Sequence, residues 1–202
     1  MKPRMTRLLS LLTALALAPA AIASPGASVP ASGRLAFDVI RKDRDIGDYV
    51  VTFRGSGDDL TVDIATDVKV KVPVIGVAAY RFSQTSTETW RGGQLAGLAS
   101  RTDDNGTPHD IRVGATSLIP ASLWNADMVR SSAVLNTIDG STDPISVSNL
   151  GTENVATGSG TVAATHYALR GGLNRDLWYA GATLVHVRFA AEDGSQVDYV
   201  LR

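Results

Sequence analysis

Residues 60–72, LTVDIATDVKVKV, decide the fold class of this chain. Apolar and β-branched residues occupy one parity of the stretch: Leu60, Val62, Ile64, Thr66, Val68, Val70 and Val72. Mainly polar residues occupy the other parity: Thr61, Asp63, Asp67, Lys69 and Lys71. A period of two predicts a strand with one face buried and the other in water. A helix would scatter the valines around its circumference and restrict their branched side chains, so we expect a long strand.

Turn signals separate this strand from shorter apolar runs on both sides. Residues 35–40 and 49–53 flank a charged turn at residues 41–48, and residues 55–59 lead into the long strand. Asn105-Gly106 supplies the positive φ angles that a tight hairpin needs, and residues 192–195 predict another tight turn. Further strands are expected at or near residues 77–90, 95–102, 111, 134, 145, 162–169, 185–189 and 197–201.

Two segments interrupt this pattern. Residues 73–76, PVIG, predict a bend or bulge, and residues 120–130 predict a short helix with Pro120 near its first turn. Short strands joined by turns are typical of a sandwich, barrel or curved sheet. The sequence therefore predicts one all-β domain over residues 33–202: a single curved antiparallel sheet, a half-barrel or barrel-like meander, with at most one short helix.

A porin-like membrane barrel is the alternative for such a meander. It would need apolar faces toward lipid, edged by girdles of aromatic residues. Residues 83–89, SQTSTET, are instead polar on both parities, and aromatic residues make up only 6% of the chain. We therefore expect a domain that does not span a membrane.

The N-terminal residues are typical of a secretory signal peptide. Lys2, Arg4 and Arg7 precede an apolar run, and Ala21-Ile22-Ala23 offers the small-x-small cleavage pattern. A retained anchor helix is the alternative, but Ser10, Thr13 and Pro19 break the run. We expect a signal peptide at residues 1–23, cleavage after Ala23, a flexible lead at residues 24–32 and a periplasmic product. The absence of cysteine excludes lipidation at a processed N-terminal Cys and excludes disulfides.

The charge balance argues against nucleic acid as a partner. The chain has 19 basic and 20 acidic residues, and loss of Lys2, Arg4 and Arg7 with the leader leaves 16 against 20. A mildly acidic domain without a basic stripe offers little to phosphate backbones or to anionic membrane surfaces. A lipid or other apolar small molecule, or an envelope protein, is the expected partner.

No motif in the sequence identifies an enzyme. The three histidines lack metal-ligand spacing, and residues 103–106, DDNG, lack the other ligands of a calcium loop, so we expect no metal and no cofactor. His109 is expected in an exposed loop, and His186 is expected to point away from a core face of Val185, Val187 and Phe189. His166 shares a parity with Val162 and could face a pocket, although a hydrogen-bonded structural histidine is the simpler interpretation.

The tryptophans are candidates for lining the mouth of a cavity. Trp90 ends a polar strand, Trp124 and Asn125 lie in the interruption near Pro120, and Trp178 is expected near a strand end. The alternative is that they close the ends of the sheet as core residues. The candidate ligand-binding residues are Trp90, Trp124, Asn125, His166 and Trp178.

Several segments together resemble a known family. They are the stretch from Thr89-Trp90 to Thr102-Asp-Asp-Asn-Gly106, which reads TW-x2-G-x-L-x2-L-x-S-x-TDDNG, then Ser122-Leu-Trp-Asn125, Leu177-Trp-Tyr179 and Asp193-Gly-Ser195. They are similar to an uncharacterised family of exported proteobacterial proteins, a domain of unknown function, from about residue 35 to the C-terminus. The resemblance implies a periplasmic β-rich protein and carries no activity and no catalytic residues.

Two functional hypotheses follow from these observations. The first is a non-enzymatic periplasmic module that binds an apolar or amphipathic ligand, or an envelope partner, in the concave face of its sheet. The second is a small periplasmic hydrolase or isomerase acting on envelope glycan or lipid, which requires titratable residues that converge in one pocket, with His166 beside an Asp or Glu.

Overall fold

Strands account for almost all of the regular structure. The computed structural model describes residues 29–71 and 78–202. In these ranges the strands are β1 Arg34–Arg41, β2 Arg44–Ser56, β3 Asp59–Lys71, β4 Ala78–Arg91, β5 Gln94–Asp104, β6 Thr107–Val113, β7 Ile119–Pro120, β8 Ala133–Leu135, β9 Thr142–Thr157, β10 Gly160–Gly171, β11 Arg175–Ala180, β12 Thr183–Ala190 and β13 Gln196–Leu201. One 3₁₀ helix, Ala126–Arg130, lies between β7 and β8.

The strands form one open, curved sheet in the order β6-β5-β4-β3-β2-β1-β13-β12-β11-β10-β9-β8-β7. Nearly every neighbour pair is antiparallel and consecutive in the chain; β7 and β8 pair in parallel. The first strand pairs with the last, with Phe37 opposite Leu201, so the two halves of the chain meet in the middle of the sheet. The predicted all-β class and single curved antiparallel sheet are confirmed.

The main core fills the concave face of this sheet. The alternation predicted for β3 is present, since Leu60, Val62 and Ile64 are buried while Lys69 lies in solvent. Neighbouring strands β1 and β2 present Phe37 and Val51 to the same core. One face of each strand therefore supplies the apolar surface whose burial stabilises the fold.

Residues 118–130, which we call the internal segment, are packed against the concave face of the sheet. Trp124 and Met128 are almost completely buried there. The Tyr49 hydroxyl on β2 donates a hydrogen bond to the Ser122 carbonyl. The Tyr179 hydroxyl on β11 donates to the next carbonyl, that of Leu123, whose φ is +67°. Strands β2 and β11 thus hold adjacent peptide groups of the internal segment. The positive φ of Leu123 costs conformational free energy, because a leucine side chain disfavours this region.

The helix in this region differs from the prediction. Pro120 belongs to the short strand β7 and does not begin a helix. The helix begins after Asn125, whose side-chain oxygen accepts the backbone N–H of Asp127 at 3.0 Å. An Asx cap of this kind satisfies a free N–H at a helix start more directly than a nearby proline does.

The first predicted turn is too long. Residues 41–48 were expected to form it, but Lys42 and Asp43 alone make the turn, both with positive φ. Strand β2 then begins at Arg44 and contains a bulge, because Val39 pairs with Gly47 and Ile40 with Asp45. The charged side chains that suggested a loop are strand residues, since charge does not prevent pairing on a solvated face. His109, expected in a loop, likewise lies half-buried in β6.

A second, smaller core lies on the outer face of the sheet. Its buried residues are Val155 on β9, Ala164 on β10, Trp178 on β11 and Val185 on β12. The tip of the β9–β10 hairpin is tied to the end of β13 by a hydrogen bond from the Gly158 N–H to the Leu201 carbonyl, at 2.7 Å. The hairpin therefore bends over the outer face of the neighbouring strands and covers it.

The predicted signal peptide at residues 1–23 and the predicted bend at residues 73–76 lie outside the described residues. The described part of the expected lead begins at Val29, which packs against the main core. No helix within residues 29–71 and 78–202 has the length and hydropathy needed to cross a bilayer.

Substitution of Gly47 should test the bulge in β2. A Cβ at this residue would lie 1.9 Å from the Asp67 carbonyl oxygen, at a φ of +153°. We expect Gly47→Ala to lower the free energy of unfolding by about 3 kcal/mol, because the backbone of β2 or β3 would have to move to make room for the Cβ. Gly92→Ala is the control, since φ is also positive there but a Cβ meets nothing within 4 Å; its cost should be about 1 kcal/mol. Urea midpoints measure both, and equal costs would contradict the close approach of β2 and β3.

Candidate functional site

A strip of polar side chains crosses the concave face on β4 and β5. Gln84, Ser86 and Glu88 occupy successive inward positions of β4, and Ser100 and Thr102 occupy inward positions of β5. These β4 residues come from the stretch whose polarity on both parities argued against a membrane barrel. Alternate members of that stretch are in fact buried inside the sheet.

Glu88 is the central residue of the strip. Its side chain is completely buried, and its Oε2 atom accepts two indole hydrogen bonds, from Trp90 Nε1 at 2.9 Å and from Trp124 Nε1 at 3.0 Å. The two indole rings meet edge to face, 5.6 Å between centroids. Glu88 thereby joins β4 to the internal segment. Sequence analysis missed this residue, although its spacing of two from Trp90 was a usable signal.

Burial raises the pKa of Glu88 above its ordinary value, and this effect outweighs the Ser122 hydroxyl and the two indole donors, which favour the charged form. The other carboxyl oxygen, Oε1, has no hydrogen-bond partner among the described residues. The hydroxyls of Ser86 and Ser100 are also buried without partners among the described residues. The interior beside Glu88 therefore has more hydrogen-bonding capacity than the described residues use.

A cavity of about 440 Å³ adjoins this polar strip. Its floor includes Ser122 and Leu123 of the internal segment, and its walls include Thr66, Gln84 and Tyr199. Further lining residues are Tyr49, Ile64, Phe82, Ala121, Asn136, Thr137, Ile138, Asp143, Gly172, Leu173, Asn174, Arg175 and Ala190. The mixture of hydroxyl, amide, aromatic and aliphatic groups matches the usual surface of a small-molecule site, and so does the volume.

Among the described residues that line the cavity, Arg175 is the one cation. Its guanidinium carbon lies 3.9 Å from the centroid of the Phe189 ring, and its Nη1 donates to the Asn174 carbonyl. Burial lowers the pKa of Arg175, while the nearby Tyr199 opposes that effect. No carboxylate in residues 29–71 or 78–202 lies within ion-pair distance of this guanidinium.

Three aromatic side chains form a second cluster on the outer face, beneath the β9–β10 hairpin. The His166 ring stacks on the Trp178 ring with 4.1 Å between centroids, and the His186 ring meets Trp178 edge-on at 4.9 Å. Trp178 Nε1 donates to Glu153 Oε1 on β9 at 2.6 Å. The cluster thus connects the hairpin to strands β11 and β12.

Acidic residues surround both histidines of this cluster. His166 lies 3.2 Å from a carboxylate oxygen of Glu153 and 3.3 Å from one of Asp176. His186 Nε2 lies 2.8 Å from Asp198 Oδ1, which also accepts from Arg188 Nε at 2.7 Å. Burial lowers the pKa of His186, and this outweighs the opposing effect of Asp198. The pairing of His166 with an Asp and a Glu is therefore present, but none of these residues lines the interior cavity.

The five residues singled out from sequence fall into separate places. Trp90 and Trp124 meet at Glu88, Asn125 caps the 3₁₀ helix, and His166 stacks on Trp178 at the outer face. None of the five lines the cavity. Trp178 lies inside β11, not at a strand end as expected.

His186 points away from the core face of Val187 and Phe189, as expected, but Val185 does not share that face. A bulge pairs Trp178 with His186 and Tyr179 with Leu184, so Val185 is the extra residue and joins the outer cluster. No group of three or more metal-ligating side chains able to hold an ion occurs in the described ranges.

Replacement of Glu88 should separate its hydrogen bonding from its ionisation. A carboxyl with a raised pKa stabilises the fold below its ordinary value of 4.5, and this stabilisation is lost as the pH rises through the folded-state pKa. Glu88→Gln keeps an oxygen for the two indoles and cannot ionise. We expect it to be as stable as the wild type near pH 4 and more stable near pH 7, by urea unfolding. Glu88→Leu should lose about 1–3 kcal/mol for each unpaired indole N–H. If the wild type became more stable relative to Glu88→Gln as the pH rises, a raised pKa of Glu88 would be contradicted.

His186 should have the opposite pH dependence. A histidine with a lowered pKa stabilises the fold above its ordinary value of 6.5, and the stabilisation is lost as the pH falls through the folded-state pKa. We expect the wild type to lose more unfolding free energy between pH 7.5 and pH 5 than His186→Gln, whose amide can still donate to Asp198. Urea midpoints at the two pH values give the comparison, and equal losses would contradict it.

A "Beta-barrel-like Protein of Domain of Unknown Function DUF1849 from Brucella abortus" is similar to this chain with a TM-score of 0.50 and 10% sequence identity, over 84% of this chain and 94% of that chain. At this identity the similarity concerns the fold alone. No curated protein matches the chain. Residues 37–202 match the family described as Domain of unknown function (DUF6134), and the chain therefore belongs to that family.

Proposed function

We propose that this protein is a non-enzymatic binding protein for a small amphipathic molecule, which it holds in the cavity inside its curved sheet. The observation that carries the proposal is the cavity of about 440 Å³ lined by both apolar and hydrogen-bonding side chains. Phe82, Ile64 and Leu173 offer apolar contact, whereas Gln84 and Thr137 offer polar groups. An amphipathic molecule is complementary to such a surface, because it can cover the apolar wall without leaving the polar groups unpaired.

The cavity is supported by a rigid frame, which favours binding over a collapse of the empty space. The Gln84 amide donates to Thr102 Oγ1 at 2.9 Å and to the Thr137 carbonyl at 3.1 Å. The floor is held by Tyr49 through Ser122. A pre-formed site binds more tightly than one that must be ordered by its ligand, since less conformational entropy is lost.

A hydrolase or isomerase is the second candidate, and one observation favours it. His166 lies between Glu153 and Asp176, an arrangement that can orient a general base. The cluster lies beneath a hairpin on the outer face and does not line the interior cavity. A second, open groove of about 700 Å³ lies on the outer face of strands β2 to β6. His166, Glu153 and Asp176 do not line that groove either. Binding is therefore the better supported function.

We also propose that the protein acts in the periplasm after removal of residues 1–23. The basic start, the apolar run and the Ala21-Ile22-Ala23 pattern support export. The cysteine-free sequence is compatible with an oxidising compartment, because no thiol can be oxidised there. The ligand is then a molecule of the cell envelope. N-terminal sequencing of the protein from an envelope fraction tests this part, and retention of Met1 would contradict it.

The cavity can be tested by filling it. Ala121 is a half-buried lining residue, so Ala121→Phe places a ring in the space that the ligand would occupy. We expect wild type to bind dodecanol or dodecanoate with one molecule per chain, and Ala121→Phe to bind at least about tenfold more weakly. Native mass spectrometry gives the stoichiometry and calorimetry the affinity.

Ala163→Phe is the matched control, because Ala163 is exposed on β10 and does not line the cavity; it should bind as the wild type does. Ala190→Trp fills the exposed edge of the same cavity and serves if Ala121→Phe fails to fold. Absence of binding by the wild type, or equal binding by all variants, would overturn the proposal.

A further inference from the structure

We infer that the ligand of this cavity has an anionic head group, which Arg175 and Tyr199 recognise; the inference rests on the proposed function and names the ligand class. Arg175 lies on β11 and Tyr199 on β13, and both line the cavity. The inward parity of β11 also includes Leu177 and Tyr179, two fully buried residues of the main core. A charged residue at the end of an otherwise apolar row is costly without a compensating partner.

The part of the chain that the structure describes does not supply that partner. Within residues 29–71 and 78–202, no Asp or Glu lies within 4.0 Å of the Arg175 guanidinium. Its one hydrogen bond in that part of the chain goes from Nη1 to the Asn174 carbonyl at 2.8 Å. By contrast, Arg188, a half-buried arginine on the outer face, is paired with Asp198. The remaining N–H groups of Arg175 are thus available to an acceptor in the cavity.

A row of aromatic rings supports the guanidinium. Phe37, Tyr49 and Tyr199 follow one another with centroid distances of 5.5 and 5.4 Å, and Tyr199 meets Phe189 at 5.7 Å. Arg175 lies over the face of Phe189. Stacking on a ring fixes the planar group while leaving its edge free to donate, which is the arrangement that suits carboxylate or phosphate recognition.

Tyr199 contributes a second donor. Its hydroxyl makes no hydrogen bond to a described residue, unlike those of Tyr49 and Tyr179, which hold the internal segment. Burial raises the pKa of Tyr199, so the hydroxyl keeps its proton and can donate. A guanidinium and a phenol that face the same cavity can both donate to one head group.

One acidic residue that lines the cavity opposes an anion. Asp143 also lines the cavity, and its Oδ2 accepts from Asn136 Nδ2 at 3.0 Å. A negative head group should therefore lie toward Arg175 and away from Asp143, with the apolar tail directed to Ile64 and Leu123 at the floor. The expected effect of removing Asp143 is a gain in affinity for anions.

The test compares three probes with the same alkyl chain: dodecanoate, dodecyl phosphate and dodecanol. Calorimetry at pH 7.5 on the wild type should show the two anions binding at least about tenfold more tightly than the alcohol, because a hydrogen bond to a charged group contributes more than one between neutral groups. Preference for dodecanoate over dodecyl phosphate, or the reverse, distinguishes a carboxylate ligand from a phosphate ligand.

Arg175→Met should reduce the affinity for both anions to that of dodecanol and leave dodecanol binding unchanged. Tyr199→Phe should weaken anion binding by a smaller factor, and Asp143→Asn should strengthen it. Arg101→Met is the matched control, since Arg101 is exposed on the outer face and paired with Asp110; it should bind all probes as the wild type does.

The outcomes separate this inference from the proposed function. If the wild type binds dodecanol as tightly as the anions, the anionic head group is wrong and binding in the cavity stands. If Arg175→Met retains the anion preference, Arg175 is not the recognition residue and the inference falls. If no probe binds to the wild type, both proposals fail together.

Discussion

The fold depends on filling the wide concave face of a thirteen-stranded sheet. Side chains from the strands fill part of the space inside the sheet. Leu123, Trp124 and Met128 of the internal segment fill another part. Two tyrosine hydroxyls and the Glu88 carboxyl fix the segment in place. Each of these hydrogen bonds pairs a polar atom that would otherwise be buried without a partner. The same contacts that position the internal segment in the core therefore also satisfy its buried polar groups.

Glu88 shows how polarity is used inside this sheet. A buried carboxyl is costly when ionised, but a neutral carboxyl that accepts two indole N–H groups satisfies Trp90 and Trp124 together. The surrounding serine hydroxyls keep the same region polar. The part of the space that remains unfilled borders this polar strip through Gln84 and Ser122. The cavity is therefore amphipathic because of the way the core is built.

Much of the fold could be predicted from the sequence because its strands obey local rules. The alternation in β3 and the Asn105-Gly106 turn depend only on neighbouring residues. The polar strip could not be predicted, since residues 83–89 are polar on both parities and only pairing with β5 shows which parity is buried. The bulge that moves Val185 to the outer face is likewise a property of two paired strands.

The candidate site was less accessible to sequence analysis. Arg175 has no local feature that distinguishes it from other arginines; its position matters because distant strands β12 and β13 place Phe189 and Tyr199 beside it. The tryptophans were conspicuous in composition, yet they fill cores and leave the cavity wall to less distinctive residues. Recognising such a site requires the three-dimensional pairing of strands far apart in sequence.

The pairing of β1 with β13 joins strands that are far apart in the sequence. Strand β13 occupies the centre of the sheet and pairs with β1 on one side and with β12 on the other. Each half can form its own hairpins from local contacts, but among the described strands the two halves pair with each other in the sheet only through β13. Strand β13 therefore connects the two halves of the sheet. Its loss would divide the sheet through its middle, whereas the loss of an edge strand would only narrow the sheet.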